Sequence, residues 1–224
     1  MPEVPGAAAF FDVDETLVTA KTMFSFLEFH FAATGRPPAV YHRARTGLRL
    51  LSDHGLSREE VNRAYYRHYA GAEAADLTRQ GEEWFRQQLA GGGFFHLPVL
   101  RALERHLAAG DRVVLVSGSF FPCLDPIARH LGAHEALGTP QLIVAGRLTG
   151  EVTHPMIGPA KAVAARGWAH THGLDPTRCT AYGDHATDLP LLRAVGHPVA
   201  VGDDPALLAE AARPGGRHLA GVTP

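Results

Sequence analysis

The sequence predicts an α/β protein built on a parallel sheet, with a block of helices inserted after the first strand. Three observations carry this. Short apolar runs end abruptly in polar residues at 7–14, 112–117 and 179–184. Helical stretches alternate with those runs, which is the pattern of strand–helix–strand units. Between the first run and the second, from Met23 to about Leu89, the texture is helical throughout.

The opening run, Ala7-Ala8-Ala9-Phe10-Phe11, is apolar on both faces and stops at Asp12 and Asp14, as suits a buried parallel strand whose carboxyl end reaches a crevice. In the helical block, Phe24, Leu27 and Phe31 recur at spacings of three and four. Ser57-Arg58-Glu59-Glu60 has the form of a capping box ahead of Val61. Gly35-Arg36-Pro37-Pro38 and Ser52-Asp53-His54-Gly55 break one helix from the next, and Gly91-Gly92-Gly93 reads as a hinge or linker. These boundaries assign residues 1–20 and 94–224 to an α/β core and residues 21–93 to an inserted helical cap.

Strand and helix then alternate. An amphipathic helix over 97–109 stops at Gly110, and the β-branched run 112–116 ends at Ser117-Gly118-Ser119. A helix over about 122–131 ends at Gly132. Residues 140–154 alternate around Gly146-Arg147 as a hairpin does. Residues 159–172 form a helix with proline in its first turn and Gly173 past its end. Strands at 179–182 and 198–201 follow, the first ending at Gly183-Asp184, and a last helix begins after Pro205. No internal repeat or low-complexity segment is evident.

A length of 224 residues accommodates one domain with a sizeable insertion, or two small ones. A net charge of -2 gives no electrostatic footprint for nucleic acid. Cys123 and Cys179 have neither close pairing nor metal-type spacing. Residues 1–6 lack a basic segment followed by an apolar core, and residues 7–18 are short and broken by carboxylates. The expectation is a cytoplasmic protein with no membrane partner. The fourteen histidines are read mainly as surface composition.

Three of the strands end in side chains that carry chemistry: Asp12 and Asp14, Ser117, and Asp184 with Asp188. In open α/β sheets ligands bind beyond the carboxyl ends of the strands, so these residues are expected to converge. Carboxylate oxygens suit magnesium, and Asp12, Asp184 and a backbone carbonyl make a site of that kind. A bound cation also lets an anionic carboxylate approach an anionic phosphate. Each feature alone has a plainer reading, as a turn residue, a helix cap or a solvated charge. Lysine, however, occurs only twice among the 224 residues, at Lys21 and Lys161, so where those two fall is informative.

The order of motifs resembles the haloacid dehalogenase-like hydrolases with a helical cap, near their phosphoserine-phosphatase-like members. Phe11-Asp12-Val13-Asp14-Glu15-Thr16-Leu17 is similar to that family's Asp-x-Asp-x-Thr-Leu. Leu115-Val116-Ser117-Gly118, Lys161 in Gly158-Pro159-Ala160-Lys161, and Gly183-Asp184 through Asp188 resemble its second, third and fourth motifs. The resemblance implies a Rossmann-like core with a cap of the C1 type, and a magnesium-dependent phosphatase acting on a small phosphorylated metabolite. By it, Asp12 is the nucleophile that becomes an aspartyl-phosphate, and Asp14 is the acid–base group. Ser117 and the Gly118 amide hold phosphate, and Lys161 supplies positive charge. Asp12, Asp184 and the Asp14 backbone carbonyl bind Mg2+, with Asp188 orienting that site from behind.

Departures from the family pattern shape the expected substrate. Glu15 stands where relatives often have Gly or Ser, and His185 where small residues are common. Phosphoserine phosphatases resemble this chain but place a glutamate nine residues after the nucleophile to meet the substrate's ammonium group; here that position is Lys21. An ammonium does not favour an ammonium, so the expected substrate is anionic away from its reacting phosphate rather than phosphoserine itself. Arg43, Arg45 and Arg49 are further candidate contacts, and Met23, Phe24 and Phe26 either line the entrance or pack the cap. The alternatives are a phosphoserine phosphatase, a phosphotransferase of the same chemistry, and a catalytically silent binding protein.

Overall fold

The computed structural model describes residues 6–222. The chain opens with β1 (Ala8–Phe11) and then leaves the sheet for α1 (Thr22–Ala33), α2 (Pro38–Asp53), α3 (Arg58–Tyr66) and α4 (Ala74–Gly91). It returns through α5 (Leu97–Ala108), β2 (Arg112–Val116), α6 (Phe121–Leu131), β3 (Glu135–Leu137), and a hairpin of β4 (Gln141–Val144) and β5 (Arg147–Val152). It closes with α7 (Pro159–Thr171), β6 (Thr180–Gly183), the short α8 (Leu189–Leu192), β7 (His197–Val201), α9 (Pro205–Ala211) and β8 (Arg217–Leu219).

Six strands form one parallel sheet in the order β3-β2-β1-β6-β7-β8. The chain builds outward from β1 in one direction as far as β3, then crosses back to lay β6 on the other flank of β1. The strand order therefore reverses between β1 and β6, and at such a switch point the loops beyond the carboxyl ends part to leave a crevice. Alternate residues of each strand feed opposite faces, as the two-residue period of a strand dictates. Ala9, Phe11, Val113 and Leu115 face one core, and Ala8, Phe10, Val114 and Val116 face the other. The first core runs without a break into the helical layer, through Phe26, Tyr65, Tyr69 and Trp84.

The capping box at α3 is formed: the Ser57 side chain accepts from the Glu60 N–H, and the Glu60 side chain accepts from the Ser57 N–H. The hairpin turns at Ala145 and Gly146, both at positive φ, one residue ahead of the turn read from alternation. It leans on the helical layer rather than on the large sheet. The Leu148 N–H donates to the Ala72 carbonyl and the Gly71 N–H to the Leu148 carbonyl. Two edge strands, β3 and β8, were not foreseen; at three residues each they are too short to show a period. Among the described residues no helix is long and apolar enough to cross a membrane.

Candidate active site

Asp12 follows β1, Asp184 follows β6, and Lys161 lies in the first turn of α7; the switch point brings all three together at the floor of a cavity of about 820 Å³. Lys161 Nζ donates to Asp12 Oδ1 at 2.5 Å and to Asp188 Oδ1 at 2.6 Å, and all three side chains are at least nine-tenths buried. Burial alone would lower the affinity of Lys161 for its proton. The Asp12 and Asp188 carboxylates override it and hold the ammonium well above its ordinary range, so it stays charged. Burial raises the Asp12 carboxyl, Lys161 works against that rise, and the nearby Asp184 adds to it.

Gly183 is what lets Asp188 come so near. A Cβ at that position would lie 2.5 Å from the Asp188 Cβ. The other Asp188 oxygen accepts from the His185 N–H at 3.2 Å, so both of its oxygens are engaged within the protein. Thr16 Oγ1 lies 2.6 Å from Asp184 Oδ1 and 3.1 Å from Asp12 Oδ2. One hydroxyl carries one hydrogen, so it cannot satisfy both carboxylates at once.

Asp14 turns away from this cluster. Its Oδ1 accepts from the Thr22 hydroxyl at 2.6 Å and the Thr22 N–H at 3.1 Å. Burial, only partly offset by those bonds, pushes its carboxyl up to about 7. A carboxyl poised there can both give and take a proton near neutrality. Beyond β2, Ser117 is buried, and its Oγ accepts from the Ser119 N–H at 3.1 Å. Ser117 and Gly118 line the same cavity as Asp12.

The donor set fits a hard divalent cation. Asp12, Asp184 and Asp188 each offer an oxygen within 4.8 Å of the others. With Asp14, four aspartates line the cavity and Lys161 is the one buried ammonium among them, an excess of negative charge that burial makes costly unless a cation meets it. Both oxygens of Asp188 and both of Asp12 have partners within the protein, which leaves Asp184 as the freest donor of the three.

The cavity also has a basic lining. Lys21, Arg45, Arg49 and Arg58 contribute to it together with His42 and His185, and Glu15 is the acid there besides the four aspartates. Lys21 and Glu15 pair at 3.2 Å, both about half exposed, so the Lys21 charge is shared. Glu15 adopts φ 61°, a left-handed conformation that glycine takes more easily. Arg49 lies 3.9 Å from Asp53, whereas Arg45 and Arg58 form no ion pair among the described residues. Arg43 does not line the cavity. The apolar trio divides: Met23 and Phe24 line it, and Phe26 is buried in the core. His185 is exposed, and its Nδ1 accepts from the Thr187 N–H at 3.1 Å, capping the turn that carries Asp188.

Sequence reasoning did not single out Thr16, Thr22 or Arg58. Thr16 lay inside the first motif and carried a signal. Thr22 and Arg58 sit at helix starts, where threonine and arginine are unremarkable.

A model of the family described as haloacid dehalogenase-like hydrolase matches residues 9–193. A Streptomyces azureus protein described as an inhibition of morphological differentiation protein is 33% identical over 213 residues, 93% of this chain and 76% of its own. A phosphoserine phosphatase of Mycobacterium tuberculosis is 34% identical over 206 residues, 88% of this chain and 65% of its own. Among solved structures, a protein of unknown function from Bordetella pertussis Tohama I has a TM-score of 0.83 at 27% identity, covering 96% of this chain and 99% of that one. With the parallel sheet and the cluster at its switch point, these matches place the chain in the haloacid dehalogenase-like hydrolase family.

Proposed function

We propose that this protein is a magnesium-dependent phosphomonoesterase that works through an aspartyl-phosphate on Asp12. The observation that carries the reading is the meeting of Asp12, Lys161 and Asp184, three elements of distant sequence, at one cavity floor. Asp12, Asp184 and the Asp14 backbone carbonyl would hold the ion, which when bound would offset phosphate charge and so favour approach by a carboxylate.

An Asp12 oxygen attacks phosphorus, and the ester oxygen leaves with the proton from Asp14. Asp14, now ionised, takes a proton from water as that water attacks phosphorus, which frees Asp12 and releases phosphate. Ser117 Oγ and the Gly118 N–H hold phosphate oxygens, and the Lys161 ammonium offsets the charge that builds on them. Residues 21–93 act as the cap over a core of residues 1–20 and 94–224.

The basic lining supports a substrate with a second anionic group. Arg45 and Arg58 carry that reading better than Lys21, whose charge Glu15 shares. The relative described as a phosphoserine phosphatase keeps phosphoserine as the second reading. Phosphate release from a panel of monoesters, including phosphoserine and doubly anionic phosphates, tests both. Activity is expected to need magnesium, to favour the doubly anionic members, and to fall about a thousandfold or more in Asp12→Asn. Magnesium-independent turnover, or survival of turnover in Asp12→Asn, overturns the mechanism. A preference for phosphoserine overturns the substrate reading alone. Transfer of phosphate to added alcohols in place of water would mark a phosphotransferase.

A further inference from the structure

The Gly118 carbonyl accepts from three side chains: Asn62 Nδ2 at 3.0 Å, Tyr66 OH at 2.7 Å and Thr139 Oγ1 at 2.8 Å. A carbonyl has two lone pairs, so Tyr66 and Thr139 alone would satisfy it. Asn62 and Tyr66 both come from α3, four residues apart on one face, and both are buried. The same peptide's N–H, on Ser119, donates to Ser117 Oγ at 3.1 Å. The peptide between Gly118 and Ser119 is thus held from the helical layer at its oxygen and from Ser117 at its nitrogen.

Asn62 makes these bonds at a cost. Because a carbonyl only accepts, the Asn62 nitrogen must face it, and that nitrogen also lies 3.7 Å from Met23 Sδ. Oδ1 is left buried with no partner. Buried unpaired acceptors are rare and destabilising. A leucine of similar size would avoid the penalty, so the residue is poorly explained by packing.

We propose that Asn62 and Tyr66 are positioning residues that fix the phosphate-binding turn from α3. With α3 in place, the Gly118–Ser119 peptide is locked, and Ser117 Oγ and the Gly118 N–H are held in register for phosphate. Without Asn62 and Tyr66 the carbonyl keeps only Thr139, and the turn loses that register. The inference rests on the phosphate-binding role given to Ser117 and Gly118 above.

The test uses the full chain with magnesium, inorganic phosphate as a competitive ligand and p-nitrophenyl phosphate as substrate. Tyr66→Phe and Asn62→Leu are each expected to weaken phosphate binding and raise KM about fivefold to tenfold. Asn62→Leu is expected to keep or raise resistance to denaturant, since it removes the unpaired acceptor. Stability and phosphate affinity then move in opposite directions, which a merely structural residue does not produce. In a Ser117→Ala background, either substitution is expected to add less than its effect alone, because both act on one turn. Unchanged phosphate affinity in both single variants, or full additivity with Ser117→Ala, overturns the inference and leaves the phosphatase reading intact. A wild type that neither releases nor binds phosphate overturns both.

Discussion

Asp184 illustrates how a half-buried carboxylate opposes the stability of its own fold. Burial raises its carboxyl, and neighbouring Asp188 adds to the rise while Thr16 tempers it. Without a cation its surroundings disfavour the ionised form. In chelator, Asp184→Asn is expected to match or exceed wild type in unfolding free energy, by on the order of 1 kcal/mol. The rise in Tm that magnesium gives the wild type is expected to shrink in the variant. A variant that is less stable in chelator and keeps the full magnesium shift would remove Asp184 from the metal site. At this scale the sequence was informative where chemistry is unusual. Carboxylates after an apolar strand and a rare lysine stood out, and the structure brings Asp12, Lys161, Asp184 and Asp188 together. Thr22 and Asn62 were not legible, because their importance lies in which distant atom each one reaches.

Among the elements, the contact of α4 with α6 shows how closely the helical layer is joined to the core. A Cβ at Gly81 would lie 2.1 Å from the Pro122 carbonyl oxygen, a backbone atom that cannot swing aside. Gly81→Ala is therefore expected to cost about 2 kcal/mol or more of unfolding free energy, despite the better helix propensity of alanine. Denaturant titration checks it, and a stabilised variant would refute the close approach. His30 on α1 gives the same layer a sensitivity to acid. Its Nδ1 donates to Gln80 Oε1 at 2.7 Å, and burial lowers its pKa below the ordinary 6.5, with the Gln80 bond opposing and Arg36 assisting. A lowered pKa means that the unfolded chain takes the proton first. The contribution is whole above pH 6.5 and is lost as pH falls through the folded value. His30→Met is expected to flatten that part of the decline when unfolding free energy is followed against pH. An unchanged slope would assign the acid sensitivity elsewhere. The helices and long strands were legible because period and capping are local. The strands β3 and β8 were not, since pairing with a neighbour, not pattern, makes them strands.

For the molecule as a whole, the alternation of strands and helices was enough to foresee the parallel sheet. What it could not supply was strand order, and the site depends on that order. Only when β6 lies beside β1 do Asp12 and Asp184 share a neighbourhood. The lean of the hairpin on the helical layer was equally invisible, because residues 71–74 and 146–148 meet across a long loop of sequence. The basic lining and the acidic floor are likewise properties of the assembled chain, since their charges nearly cancel in the overall sum.

The central place of β1 has a consequence for biosynthesis. Its two partners in the sheet lie about a hundred and about a hundred and seventy residues further along, so the strand made first lacks its second neighbour until most of the chain has been made. While the chain is still emerging from the ribosome, Asp12 has neither Lys161 nor Asp184 beside it. The buried cluster can close only after α7 and β6 have been translated, and a truncated product ending before them lacks it altogether.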